Sequence, residues 1–309
     1  MRTVLITGAA GFVGSHVVRE AARGGAELTL MSHRRPLPTA GSGRRTVAAD
    51  LSDPRSLRGV CDGVDVLLHC ASHIGGTPEA NESVNAQGTR NLLDEARRAG
   101  VSRVVYVSTA SVYGRGTFRG AGPGQLVRNP GSPTSSARAA AEDAVHEAGG
   151  VVLRPHLVHG AGDTWVVPGL VRLLRALSGA VEGWTARMSV ISVRDLARLV
   201  AGAGLVPSGD LTAATYHAVH PVPVTAATLL RAVAACASLP WPERDLSVAR
   251  AQALLAADRQ ASHALDMVRS DHWFDGLPLW RDLRLTPAPD FAADFSESAR
   301  WYRRTLPAA

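Results

Sequence analysis

The sequence of 309 residues contains no lysine: all 33 of its basic residues are arginine, against 27 acidic ones, for a net charge of +6. Chemistry that needs a titrating amine, from Schiff bases to a lysine that lowers a neighbour's pKa, is therefore closed to it. Cysteine is almost as scarce. Cys61, Cys70 and Cys236 have no metal-ligand spacing, and any disulfide leaves one thiol over, so no metal is expected and the thiols read as buried. No apolar run approaches a membrane span, and the N-terminus enters a strand without the charged and apolar regions of a secretory signal. The chain reads as cytoplasmic, with no membrane partner. Its arginines scatter over helices and loops without a basic tract interleaved with aromatics, which argues against a nucleic-acid partner.

What is present starts at residue 3. An apolar run, Thr3 to Thr7, breaks into glycines at 8, 11 and 14 and resumes at helical spacing, which predicts strand, tight turn, helix. Glycine is needed where the backbone bends and where a side chain would hold a pyrophosphate away, and the helix that starts there aims free N–H groups at the anion. Gly8, Gly11, Phe12, Val13 and Gly14 are thus candidate cofactor-binding residues. Strands are predicted at 27–31, 46–49, 64–69, 103–108 and 151–154, and helices at 79–98 and 137–147, with a short helix opened by Asp53 and Pro54. This alternation predicts an α/β fold, a Rossmann-type doubly wound parallel sheet with a smaller, mostly helical C-terminal substrate lobe. The dinucleotide domain is expected over 1–160, with 190–220 returning to it, and the lobe over 161–189 and 221–309. Residues 114–136, rich in glycine, proline and serine, read as one long loop.

Ligands on such sheets bind at the carboxyl ends of the strands. Where a dinucleotide site reads the adenosine ribose, the sequence is Ser32-His33-Arg34-Arg35. A ribose 2′-hydroxyl calls for a carboxylate, whereas guanidinium groups match a 2′-phosphate, so NADPH/NADP is the expected cofactor, with NADH possible.

The cradle, Asp50-Leu51, Cys70-Ala71-Ser72, Asn85, the run Val107 to Gly114, the run Arg154 to Gly160 and Val193 to Ala197 together resemble the extended short-chain dehydrogenase/reductases, along nearly the whole chain. The resemblance implies that Asp50 and Leu51 flank adenine, that Cys70, Ala71, Ser72 and Val107 line the cofactor, and that Pro155, His156, Leu157 and Val158 meet its nicotinamide end. It also implies hydride transfer assisted by a serine or threonine, a tyrosine and a lysine. That array is broken here. In the matching run, Ser132 to Glu142, Thr134 stands for the tyrosine and Arg138 for the lysine, while Ser108 and Thr109 occupy the serine position. No register shift restores it, because Tyr106, Tyr113, Tyr216 and Tyr302 are followed four places on by Ala110, Thr117, His220 and Leu306.

An aliphatic hydroxyl is far less acidic than a phenol, and arginine stays protonated, so neither replaces the missing acid. The expected function is an NADPH-dependent ketoreductase acting on a small-molecule aromatic polyketide, angucyclinone-like, whose own phenol supplies the proton. Ser108, Thr109, Thr134 and Arg138 are the catalytic candidates, Arg138 being also a candidate to hold the cofactor ribose, with His73 and His156, and also His159, as alternative proton donors. Tyr113 is expected to pack or to touch substrate. The alternative is an inactive NADP-binding sensor; nucleotide-sugar epimerisation or dehydration is disfavoured, because it leans on the same tyrosine. The oligomeric state is left open.

Overall fold

In the computed structural model, which describes residues 2–34, 37 and 44–306, the chain begins with β1 (Thr3–Thr7), α1 (Phe12–Arg23), β2 (Glu27–Ser32) and β3 (Arg44–Ala48). It continues through β4 (Val66–His69), α2 (Pro78–Asn81), α3 (Gly88–Arg98), β5 (Arg103–Val107), β6 (Phe118–Ala121), α4 (Pro133–Glu147) and β7 (Val151–Arg154). Next come β8 (Leu157–His159), α5 (Val166–Ala176), β9 (Ala180–Val181), β10 (Arg187–Met188), β11 (Val190–Ser192), α6 (Val193–Leu205) and β12 (Thr215–His217). The last elements are β13 (Val224–Thr225), α7 (Ala226–Cys236), β14 (Asp245–Leu246), α8 (Val248–Leu254), α9 (Arg259–Val268), β15 (His272–Phe274), α10 (Leu277–Asp282) and α11 (Phe291–Thr305). Among the described residues, no helix is long and apolar enough to cross a membrane.

Seven parallel strands form the main sheet, in the order β12-β7-β5-β4-β1-β2-β3. The chain runs outward from β1 to β3, then returns to the other side of β1 with β4, so a crevice opens at the carboxyl ends of β1 and β4. Side chains alternate across the sheet. Val4 and Ile6 join Val17, Leu196 and Val200 under α1 and α6, while Leu5 joins Leu92, Ala141 and Val145 under α3 and α4. The sequence-predicted Rossmann-type sheet is therefore the one observed. A second large core, formed with α5, α7, α9 and α11, includes Leu170, Leu230, Leu265 and Phe295. A four-stranded sheet, β13-β10-β15-β6, lies on this side of the molecule.

Three local expectations are corrected. The Asp53-Pro54 helix is instead a chain of tight turns, in which Ser56 N donates to Asp53 O and Val60 N to Leu57 O; the left-handed Gly59 and Gly63 interrupt any helix. The helix over 79–98 is interrupted by a wider π-helical turn at Glu82–Gln87. Asn85 sits in that turn and grips His73, accepting from its N–H at 2.7 Å and donating to its carbonyl at 2.8 Å. Finally, the 114–136 segment is not a single loop: β6 pairs in parallel with β15.

Candidate active site

The glycine turn after β1 is built for close approach. Gly8 adopts φ +65°, and a Cβ placed there would lie 2.8 Å from the Ala71 backbone; a Cβ on Gly14 would lie 2.1 Å from Gly8 O. Gly11 is the N-cap of α1, no side chain caps that helix, and its first turn carries no acidic residue. Its leading N–H groups and positive dipole end are therefore offered to an anion, and these residues fit a dinucleotide pyrophosphate. Phe12 and Val13 form the first turn of that helix.

Around the cradle, the other candidate cofactor residues gather at the same sheet edge. Ser32 ends β2, followed by exposed His33 and Arg34; Arg35 lies outside the described residues. His33 Nε2 is 3.1 Å from the Asp50 carboxylate, which also accepts from the N–H and hydroxyl of Ser52 at 2.9 and 2.7 Å. Burial acts to raise the Asp50 pKa, but the Ser52 bonds, His33 and Arg34 outweigh it and hold the carboxyl below its usual value. Leu51 is buried against Gly88, where a Cβ would meet it at 2.8 Å. Cys70, Ala71 and Ser72 follow β4; burial pushes the Cys70 thiol up to about 12, so it lines the edge as a neutral group. Pro155 to Val158 follow β7, with Leu157 buried and Val158 half-buried.

Arg138 points inward. Only 8 % exposed, it donates from Nη1 to Ser72 Oγ at 3.1 Å and from Nη2 to Val107 O, so it ties the ends of β4 and β5 together. Its Nε is buried without a partner, its guanidinium lies 5.6 Å from the Tyr106 ring centroid, and no carboxylate pairs with it among the described residues. Thr134, half-buried on the first turn of α4, accepts from Gly75 N at 3.3 Å and so joins the loop after β4. Thr109, half-buried, caps the short helical turn at Ala110–Tyr113, accepting from Ser111 N at 3.1 Å.

Ser108 goes elsewhere. It is buried, and its hydroxyl donates to Glu142. Glu142 also takes Arg154 Nε at 2.9 Å and Nη2 at 2.5 Å, and Arg128 at 3.3 Å. Arg154 reaches Tyr113 OH at 2.6 Å, which in turn meets His217 Nε2 at 2.7 Å. Tyr113 thus packs, in a closed polar network behind the sheet edge. His217 and its neighbour His272 escaped the sequence reading, because a buried histidine carries no local signature. The same is true of His69, which is fixed between Thr7 Oγ1 at 2.7 Å and Thr89 Oγ1 at 3.0 Å.

Two of the three alternative proton donors, His156 and His159, are poorly placed as acids. His156 stacks on His272 with centroids 4.6 Å apart, and its Nε2 is buried without a partner. Burial, with His272 and His217 adding to it, pushes its pKa well below 6.5, so it is neutral at physiological pH. His159 is buried against Phe291 and Phe295, and burial lowers it to about 4. The ring of His73 lies against Gly76, where a Cβ would stand 2.7 Å from Nε2.

A family model described as the NAD dependent epimerase/dehydratase family matches residues 4–205. The chain belongs to that family. It is 26% identical over 318 residues to the 2-alkyl-3-oxoalkanoate reductase of Stenotrophomonas maltophilia (strain K279a), covering 92% of this chain and 94% of that protein. It is 33% identical over 206 residues to the ceramide reductase of Caulobacter vibrioides (strain NA1000 / CB15N), covering 64% of this chain and 60% of that one. Among solved structures, the enzyme WbmH of Bordetella bronchiseptica in complex with NAD+ superposes with a TM-score of 0.75 over 99% of this chain and 100% of that one, at 20% identity, a likeness of fold. Family and relatives together make this chain an NAD(P)-dependent oxidoreductase of the extended short-chain dehydrogenase/reductase type.

Proposed function

We propose that the protein is an NADPH-dependent ketoreductase that reduces a ketone on an aromatic, angucyclinone-like polyketide to a secondary alcohol, and that a phenol of the substrate supplies the proton. The observation that carries this reading is the pair on α4: the acid's position holds Thr134, an aliphatic hydroxyl, while the lysine's position holds Arg138, a buried cation with no carboxylate partner. Such a pair can stabilise an anion, but neither an aliphatic hydroxyl nor a guanidinium is fit to supply a proton to the developing alkoxide. A threonine and an arginine at these positions, in a chain without lysine, resemble the atypical ketoreductase of the simocyclinone pathway.

When bound, the reduced nicotinamide supplies hydride to the carbonyl carbon. Thr109 turns its hydroxyl from Ser111 Oγ, to which it donates at 3.1 Å, to the carbonyl oxygen and orients it, while Ser108 stays bonded to Glu142. As negative charge grows on that oxygen, a phenol next to the ketone passes its proton to it, and Arg138 stabilises the resulting phenolate through the low-dielectric edge it shares with Ser72. Solvent later reprotonates the phenolate. Arg34, exposed beside the His33–Asp50 pair, is placed by the sequence pattern toward a ribose 2′-phosphate and sets the preference for NADPH over NADH.

The test mixes the protein with NADPH and an angucyclinone whose hydroxyl adjoins its ketone, follows the reduced-cofactor absorbance, and repeats with that hydroxyl methylated. Turnover with the free phenol and a drop of about 100-fold or more with the ether, provided the ether still binds, is the expected result. Equal rates would move the proton to a protein group. NADPH binding without turnover of either would favour the sensor reading.

A further inference from the structure

Apolar side chains exposed singly over a surface need no explanation, but two that stand on held backbones beside one ligand crevice do. They are Ile74, 51 % exposed in the loop after β4 of the main sheet, and Trp165, 58 % exposed in the turn after β8, which pairs with β11. Both backbones are held. The loop of Ile74 is gripped by Asn85 through His73 and by Thr134 through Gly75. The turn of Trp165 rests on the start of α1. Ala161 O meets His16 Nε2 at 2.9 Å, and Gly162 lies so close to Phe12 that a Cβ there would stand 3.1 Å from the ring.

Beneath Trp165, the buried Asp163 carboxylate accepts from Trp165 N at 2.8 Å, Val166 N at 2.9 Å and Val167 N at 2.8 Å. Tyr302 OH in turn donates to Asp163 at 3.0 Å and accepts from Gly160 N at 2.7 Å. The mount is rigid while the ring is free. Moreover, the two apolar side chains belong to different walls of the crevice. Trp165 is seated on α1, in the helix layer of α1 and α6; Ile74 is joined to the first turn of α4, in the layer of α3 and α4.

We propose that Trp165, with Ile74 on the facing wall, is the specificity-determining platform on which the fused aromatic rings of the substrate stack, and that it holds the ring system while the edge residues act on the ketone. A pre-ordered indole gives a flat apolar ligand a large contact area at little entropic cost. The proposal rests on the reductase reading for the identity of the ligand, yet it is measurable without turnover.

The experiment titrates NADP-loaded protein with a tetracyclic angucyclinone and compares wild type, Trp165→Ala and Trp165→Phe, with NADPH affinity and thermal midpoint measured for each. The expected result is a Kd for the polycycle raised about tenfold in Trp165→Ala, restored to within about twofold in Trp165→Phe, with NADPH affinity and folding unchanged. Three results overturn the proposal: equal polycycle affinity in all three proteins, no polycycle binding by wild type, or a Trp165→Ala defect in NADPH affinity instead, which would place the indole against the cofactor. Wild-type binding of the polycycle with the expected Trp165 effect, but without NADPH oxidation, supports the platform and refutes the reductase reading.

Discussion

Two buried arginines, Arg138 and Arg154, meet opposite fates, one on the same helix as Glu142 and the other bonded to it. Arg154 gives its donors to Glu142 and Tyr113, and the network runs on to Ser108 at one end and to His217, whose Nδ1 is left buried without a partner, at the other. Arg138, one helical turn before Glu142, donates to the neutral oxygens of Ser72 and Val107, lies against Tyr106, and leaves Nε without a partner, with no carboxylate paired to it among the described residues. A desolvated cation paired with a carboxylate is structure; a desolvated cation paired with none is a standing electrostatic field at the sheet edge. The chain neutralises one and keeps the other available.

The largest effect is expected on the closed side. Glu142→Ala strips the carboxylate from a buried arginine and orphans Ser108, and should cost about 3–5 kcal/mol of stability, read from denaturant unfolding. On the open side the cost should fall on activity instead. Arg138→Met is expected to lower kcat/KM about 100-fold while leaving the unfolding midpoint unchanged or raised, since a buried charge without a carboxylate is removed. If Arg138→Met unfolds the protein as Glu142→Ala does, the contrast between the two arginines is lost.

Acid should act through both sides. Burial, with Arg138 adding for His69 and Arg154 for His217, lowers both histidines to about 3, and burial lowers His272 to about 4, whereas in the unfolded chain all three take up protons near 6.5. The unfolded state therefore binds more protons below 6.5, so stability falls as pH drops from about 6.5 toward 4. Asp294, raised to about 6 chiefly by burial, and Asp163, also raised by burial, work in the other direction, but His156 and His159, lowered by burial as well, add to the three histidines. Unfolding midpoints measured from pH 7 to pH 4 should decline throughout, with His217→Gln flattening the slope. The smallest effect is expected at the edge itself. Thr134→Ala should change kcat less than about threefold, because a true general acid would be worth about 100-fold or more.

The open side was the more legible of the two in the sequence. The glycine spacing, the strand-helix alternation and the breaks at Thr134 and Arg138 are local patterns, and the fold places them together as the spacing implies. The inward aim of Arg138 was not readable: α4 is rich in alanine and buries Ser135, Ala137, Ala139 and Ala144 as well as Ala141, Glu142 and Val145, so its spacing leaves an inward and a solvated arginine equally open. The closed side was not readable, because His217 and His272 reach Tyr113 and His156 only through the tertiary fold. Likewise β6 becomes a strand only by pairing with β15, which overrides a glycine- and proline-rich composition that locally favours a loop. The π-helical turn around Asn85 adds too little to the helical period to be seen, and only the bonds to His73 show what it is for.

The measurement that goes straight to the missing acid is the pH dependence of hydride transfer in a single turnover, with two angucyclinones that differ only in the acidity of the hydroxyl beside the ketone. If the substrate supplies the proton, the alkaline fall in rate must track the phenol, moving to lower pH for the more acidic one. An inflection that stays at the same pH for both substrates would assign the proton to the protein and contradict the account.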